Sequence, residues 1–186
     1  MSDQNQSGGT NRVPLNKALR LELLSRMARD QEMRKAVLMK YPPGTPYGPE
    51  DLAWWSEVDA ENTARMKEIV AMYGWPGWSL VSDDGARAAW LLVQHADEDV
   101  AFQKQCLGLL ESAVTAGEAS ARDLAFLTDR VRLHEGRPQV YSTQMRVVDG
   151  KPTLPGIEDP AQVNERRAAV GMKPLAEPQP QRFWPG

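Results

Sequence analysis

The chain has 186 residues, 41% of them hydrophobic and 25% charged, with a formal net charge of −3 and a pI near 5.5. That is enough chain for one sizeable core, and the mild acidity argues against the basic footprint of a nucleic-acid binder. No apolar run reaches the roughly 20 residues that span a bilayer, and one cysteine excludes an internal disulfide framework.

The opening residues 1–13 are polar and rich in Gly, Ser and Asn, the composition of a disordered tail, without the charged and apolar regions of a secretory signal. From residue 14 to about 40 the spacing predicts a helix, with Leu15, Leu19, Leu23 and Met27 recurring every fourth position. The segment YPPGTPYGP at 41–49 reads as a loop because its prolines and glycines break any regular element. A second helix is expected over about 59–73, with Asp59 as its N-cap and Gly74 as its stop. GWPGW at 74–78 reads as a rigid turn. A third helix should start near Ser82 or Asp83 and run to about Asp97, apolar nearly all round and therefore central.

A fourth helix ends near Ala116 before Gly117, and a fifth starts at Ser120, with Asp123 completing a capping box, and ends near Gly136. Residues 140–148 are β-branched and aromatic, and Asp149-Gly150 is a hairpin signal, so a strand and a short return strand are expected. Residues 159–170 read as a small last helix, and 176–186 as a proline-rich tail. The expected fold is mainly α: a single helical domain over residues 14–175, of about five to six helices, with a small C-terminal β-hairpin.

Candidate functional residues are polar side chains that interrupt apolar stripes. On the first helix, Asp30, Gln31 and Arg34 continue the Leu19–Leu23–Met27 stripe. An ordinary i,i+4 pair between Asp30 and Arg34 at a helix end would account for them equally well. Asn62 shares a face with Met66, Ile69 and Tyr73, and His95 follows Leu91 and Leu92 on the central helix. An unsatisfied buried polar group costs roughly 1–3 kcal/mol, so His95 needs partners or a cavity wall. Gln94 or Asp99 is the expected holder of its ring. Asp129 and Arg130 lie beside an apolar stripe of the fifth helix, where a solvated pair is the plainer explanation. His134 reads as a helix-end histidine favoured by the dipole. The tryptophans of the loops, Trp75 among them, form either core or the wall of a groove.

Some chemistries are missing. Two histidines and one cysteine assemble no familiar zinc spacing, and no P-loop, dinucleotide fingerprint or nucleophile elbow occurs. Cys106 sits in an apolar helix and reads as a core residue. Elimination leaves general acid–base work by His95, helped by Tyr141, Asp30 or Arg130, with no cofactor and no metal.

The motifs DQ (30–31), NT (62–63), YGWPG (73–77), LLVQHAD (91–97), DRV (129–131) and PQVYSTQ (138–144), in this order, resemble a bacterial family of unknown function over roughly residues 15–175. The late segment VNERRAAVGMKPLAE is similar to that family's closing helix and tail. Where the family pattern reads Tyr-Gly-Thr-Gln, this chain has Tyr141-Ser142-Thr143-Gln144, and serine disfavours a glycine-only backbone there. The family implies no activity, but its motifs contain the polar positions selected above. Two function classes follow. One is a cytoplasmic protein with a single polar pocket for a small molecule or peptide, centred on His95 and walled by the first three helices and the hairpin. In that reading Asp30 and Tyr141 assist His95, and Gln31, Arg34, Asn62, Trp75, Gln94, Asp129, Arg130 and Gln144 bind the ligand. The other is a non-catalytic interaction module whose polar set is a buried structural network. Neither nucleic acid nor membrane is an expected partner.

Overall fold

The computed structural model describes residues 15–41, 45–148 and 151–175. The expected tails and the Asp149-Gly150 turn lie outside them. Among the described residues the chain is mainly helical: α1 (Lys17–Lys40), α2 (Pro49–Tyr73), α3 (Trp78–Gln94), α4 (Val100–Thr115), α5 (Ala121–His134) and a short α6 (Val163–Ala169) preceded by a 3-10 turn, Pro160–Gln162.

Local chemistry explains the boundaries. Asn16 caps α1 by accepting from the Leu19 amide at 3.0 Å, Asp99 caps α4 through the Phe102 amide at 3.0 Å, and Ser120 caps α5 through the Asp123 amide at 3.3 Å. Gly117 and Gly136, both with left-handed φ, close α4 and α5. The second helix begins ten residues before the expected Asp59. Pro49 occupies its first turn and Glu50 and Asp51 follow, so the loop's last proline starts the helix instead of only breaking structure. The third helix begins at Trp78, passes through a kink at Ser82 (φ 61°, ψ 174°) and stops at Gln94, short of the expected Asp97.

Helix α3 packs against α1, α2, α4 and α5, and α4 pairs with α5, so the apolar helix is central as its composition requires. The main core gathers Leu23, Met66, Ile69, Val81, Leu92, Cys106, Leu110 and Leu127, each worth about 1.5–3 kcal/mol where a large aliphatic side chain is fully buried. A satellite of Met33, Val37 and Val58, with Tyr41, Tyr47 and Trp55 against it, fills the far end of the α1–α2 pair.

The expected strand over 140–148 is shortened. Only Arg146–Val148 (β1) is extended in a strand, antiparallel to Lys151–Thr153 (β2), and the structure does not establish the expected hairpin, whose turn is outside the described residues. Val140 to Met145 is instead a loop, for a reason given below. Among the described residues no helix is long and apolar enough to cross a membrane.

Candidate functional site

Three helices converge on His95. The residue follows the last turn of α3, with its backbone amide still donating to Leu91 (3.1 Å) and its own φ and ψ at −94° and 2°. Leaving the helix there turns the imidazole toward α1. Its Nδ1 lies 3.0 Å from both carboxylate oxygens of Asp30, whose side chain is 0% exposed. The ring is therefore held by Asp30, not by Gln94 or Asp99. Asp99 has no helix to share with His95 and caps α4 instead, and Gln94 turns the other way, donating to the Phe126 carbonyl (3.5 Å). Among the described residues, His95 Nε2 has no hydrogen-bond partner, and 15% of the side chain reaches the surface.

Asp30 collects further donors from its own helix. Arg34 Nε donates to Oδ1 at 3.1 Å and Gln31 Nε2 to Oδ2 at 2.8 Å. Arg34 also reaches across to Asp59 of α2, pairing through Nη2 with Oδ1. The guanidinium lies 4.4 Å from the centre of the Trp55 ring, and Tyr47 stacks on Trp55 at 5.8 Å and 17°. One cation thus spans two carboxylates and is fixed by an aromatic face.

The two carboxyls respond in opposite directions. Burial pushes the Asp30 carboxyl up, but the hydrogen bond and charge of His95, followed by Arg34 and Gln31, outweigh it and hold it below the usual carboxylate range. For Asp59 burial wins over Arg34 and His95, and its carboxyl sits above that range. One potential ligand atom from each of Asp30, Asp59 and His95 lies within 4.8 Å of the others, so among the described residues these three are the side chains that could hold a metal ion.

Sequence reasoning missed Asp59 as a site residue, having made it a helix cap. The signal was present, because Asp59 lies three residues before Asn62 and seven before Met66, on the same α2 face. Asn62 itself is buried one turn further along, its Oδ1 3.4 Å from Arg26 and its Nδ2 without a partner.

The remaining expected site residues form other groups. Asp97, two residues past His95, faces α5. It accepts from Arg130 Nε at 2.7 Å, again from Arg130 Nη2, and from Gln103 Nε2 at 3.2 Å, and His134 Nε2 lies 3.4 Å away. Arg130 continues to Gln144 Oε1 at 3.1 Å. Burial of Asp97 is again outweighed, here by Arg130, and its carboxyl is held low.

Asp129, also 0% exposed, is a backbone anchor. Its carboxylate accepts from the amides of Val140 (2.6 Å), Tyr141 (3.0 Å) and Thr143 (2.9 Å) and from the Thr143 hydroxyl (2.9 Å). This is why residues 140–145 loop instead of extending: three of their amides serve one carboxylate and a fourth serves Gln139, so these are not available to a strand partner. Gln139, fully buried, closes the loop by donating to the Gln144 carbonyl (3.1 Å) and accepting from its amide (2.7 Å).

The loop puts Ser142 at φ 55°, so the left-handed conformation that serine disfavours is nevertheless adopted. Tyr141 contacts this loop and Arg167, not His95, and burial followed by the Asp129 charge pushes its hydroxyl up. Trp75 packs on the main core with its Nε1 buried and unpartnered. Cys106 is buried, and that burial pushes its thiol up to about 12, as suits a core residue. A surface cavity of about 430 Å³, lined by Lys67, Ala71, Asp99, Ala101, Phe102 and Gln105, shares no residue with the His95 centre.

Of the polar set expected in one pocket, the structure thus gathers Asp30, Gln31, Arg34 and His95 and adds Asp59. A family model described as a family of unknown function, DUF6624, matches residues 17–179. The chain belongs to the DUF6624 family. No curated protein and no solved structure matches it. Within this DUF6624 chain the segment QHAD is the hub, since Gln94 faces α5, His95 faces α1 and Asp97 holds Arg130.

Proposed function

We propose that the His95 centre binds a small molecule or peptide and exchanges protons with it by general acid–base chemistry. The observation that carries this reading is the His95–Asp30 pair. A buried carboxylate on Nδ1 fixes the ring and its tautomer and leaves Nε2 as the atom without a protein partner, the arrangement that makes an imidazole a directed proton acceptor. Asp59 supports it: two neighbouring carboxyls pushed apart, one down and one up, are how acid and base roles are divided at one pH. Asp30 positions and His95 accepts. A cytoplasmic setting belongs to the same proposal, as the one cysteine is free and buried.

The test pairs melting with binding. A thermal-shift screen of small metabolites and peptides identifies a ligand, because binding to the native state alone raises the melting temperature. His95→Asn should then fold with nearly native stability and lose most of that response. A folded His95→Asn protein that binds as the wild type does would remove His95 from the site.

A second reading has its own observation. Both oxygens of Asp30 are saturated by His95, Arg34 and Gln31, as in a structural network of an interaction module. That reading expects His95→Asn to cost about 1–3 kcal/mol of stability, with no ligand response to lose.

A further inference from the structure

We propose that the His95 centre is a cation site, holding a divalent metal ion or an ammonium group between Asp59 and His95. The inference rests on the reading of this centre as a ligand site and names the charge its ligand carries.

Counting atoms leads to it. Asp30 Oδ1 receives Arg34 and Oδ2 receives Gln31, with His95 against both, and Asp59 Oδ1 receives Arg34. Of the carboxyl and imidazole atoms at the centre, Asp59 Oδ2 and His95 Nε2 are without a partner among the described residues. When the ring is neutral with its proton on Nδ1 and Asp59 is ionised, both of these atoms are acceptors. Acceptors in a poorly exposed place need a donor or a metal, not an anion.

Counting charges gives the same sign. The groups acting on Asp59 are Arg34, His95 and Asp30. Two carboxyl groups thus share the single guanidinium of Arg34. Nearby cations are committed elsewhere: Arg26 and Arg65 to Glu22, and Arg29 to Glu61. Arg34 is held in place, since it already spans both aspartates and lies over Trp55.

Geometry admits either source of the charge. An ammonium would donate to Asp59 Oδ2, the carboxylate oxygen without a partner among the described residues. A metal ion would use the convergence of Asp30, Asp59 and His95, whose ligand atoms come from three different chain segments and lie within 4.8 Å. A mixed imidazole–carboxylate set suits Mn²⁺ or Zn²⁺ better than Ca²⁺.

The experiment titrates the full chain at constant ionic strength near neutral pH. One arm uses MnCl₂ and ZnCl₂, followed by calorimetry and by loss of the free Mn²⁺ electron-spin signal. The other uses ethylammonium and agmatine chlorides, followed by calorimetry and melting, and sodium sulfate serves as the anion control. Saturable binding of at least one cation is expected, weakened about tenfold or more in both Asp59→Asn and His95→Asn and unchanged in the exposed Asp83→Asn. Which arm saturates identifies the source. Cation binding that survives Asp59→Asn overturns the inference. So does a response to sulfate or a neutral compound, lost in His95→Asn, with no response to cations; that outcome still leaves the centre a ligand site. If no compound of any charge responds, the site reading fails together with the inference.

Discussion

Asp30 and Asp129 are both fully buried aspartates in the second half of a helix, and both belong to motifs the sequence singled out. Their partners differ in kind. Asp129 is surrounded by backbone amides and a hydroxyl, groups that do not titrate and that belong to one loop. Asp30 is surrounded by an imidazole, a guanidinium and an amide, and the first two tie it to other helices and to a second carboxyl. A buried carboxylate holding amides specifies a chain path. One that holds titratable side chains creates a place where protons or cations can be exchanged. Burial alone does not separate the two roles.

The comparison breaks first at Asp129. Asp129→Asn keeps the shape but replaces one acceptor oxygen with a donor that faces amides, and leaves at least one of them unpaired. A stability loss of about 3 kcal/mol is expected, from the loss of charge-assisted bonds and the buried unpaired donors. Urea unfolding measures the loss, and hydrogen exchange should show the amides of Val140, Tyr141 and Thr143 unprotected. A loss below about 0.5 kcal/mol, the ordinary range of surface substitutions, would deny the anchor role.

Asp30→Asn should cost less, about 2 kcal/mol, because Arg34 retains Asp59 and the site has some access to water. Its pH dependence carries more information. The folded carboxyl lies below its ordinary value, so the stabilisation is complete above the unfolded pKa of about 3.9 and is lost as pH falls through the lower folded value. The gap between wild type and variant should therefore be flat near neutrality and close on the acid side of about pH 4.

Asp59 has the opposite sign. Its folded value is raised, so its favourable contribution exists below the unfolded pKa and disappears as pH rises through the folded value. At pH 7 the wild type carries the cost of a desolvated carboxylate that Asp59→Asn lacks, while the amide oxygen still accepts from Arg34. The variant should be neutral or more stable by up to about 1 kcal/mol, with the gain vanishing in acid. A clear loss at pH 7 would make Asp59 an ordinary ion-pair partner.

These residues also show what a sequence makes legible. Helical periodicity placed α3 at the centre and selected Asp30, Arg34 and His95, because a polar side chain on an apolar stripe must meet something. It did not assign partners. His95 meets Asp30, 65 positions away, and that pairing depends on where α3 stops, a matter of two or three residues. Asp59 was hidden by a misplaced helix start, since a proline can end one element and begin the next. The 140–148 segment shows tertiary override: β-branched residues favour a strand, but one carboxylate offers their amides better acceptors. One pocket became several polar groups because stripe position gives the direction of a side chain within its helix, not which helix lies opposite.

The smallest expected effect tests the anchor from the loop side. Ser142 is held at φ 55°, and its hydroxyl is buried without a partner. A left-handed conformation costs a non-glycine residue about 1–2 kcal/mol, and glycine gives back roughly 0.5–1 kcal/mol through its greater freedom when unfolded. Ser142→Gly should thus stabilise the protein by somewhat under about 1 kcal/mol, the balance of these terms. Ser142→Ala removes the hydroxyl but keeps the β-carbon, so it should fall between wild type and the glycine variant. The order glycine, alanine, serine follows only if Asp129 imposes this backbone path, because a loop free to relax would return Ser142 to an ordinary conformation and make glycine the least stable of the three. Chemical denaturation of the three proteins, and of the same substitutions in an Asp129→Asn background, decides between these outcomes. With the anchor weakened, the advantage of glycine should shrink or reverse.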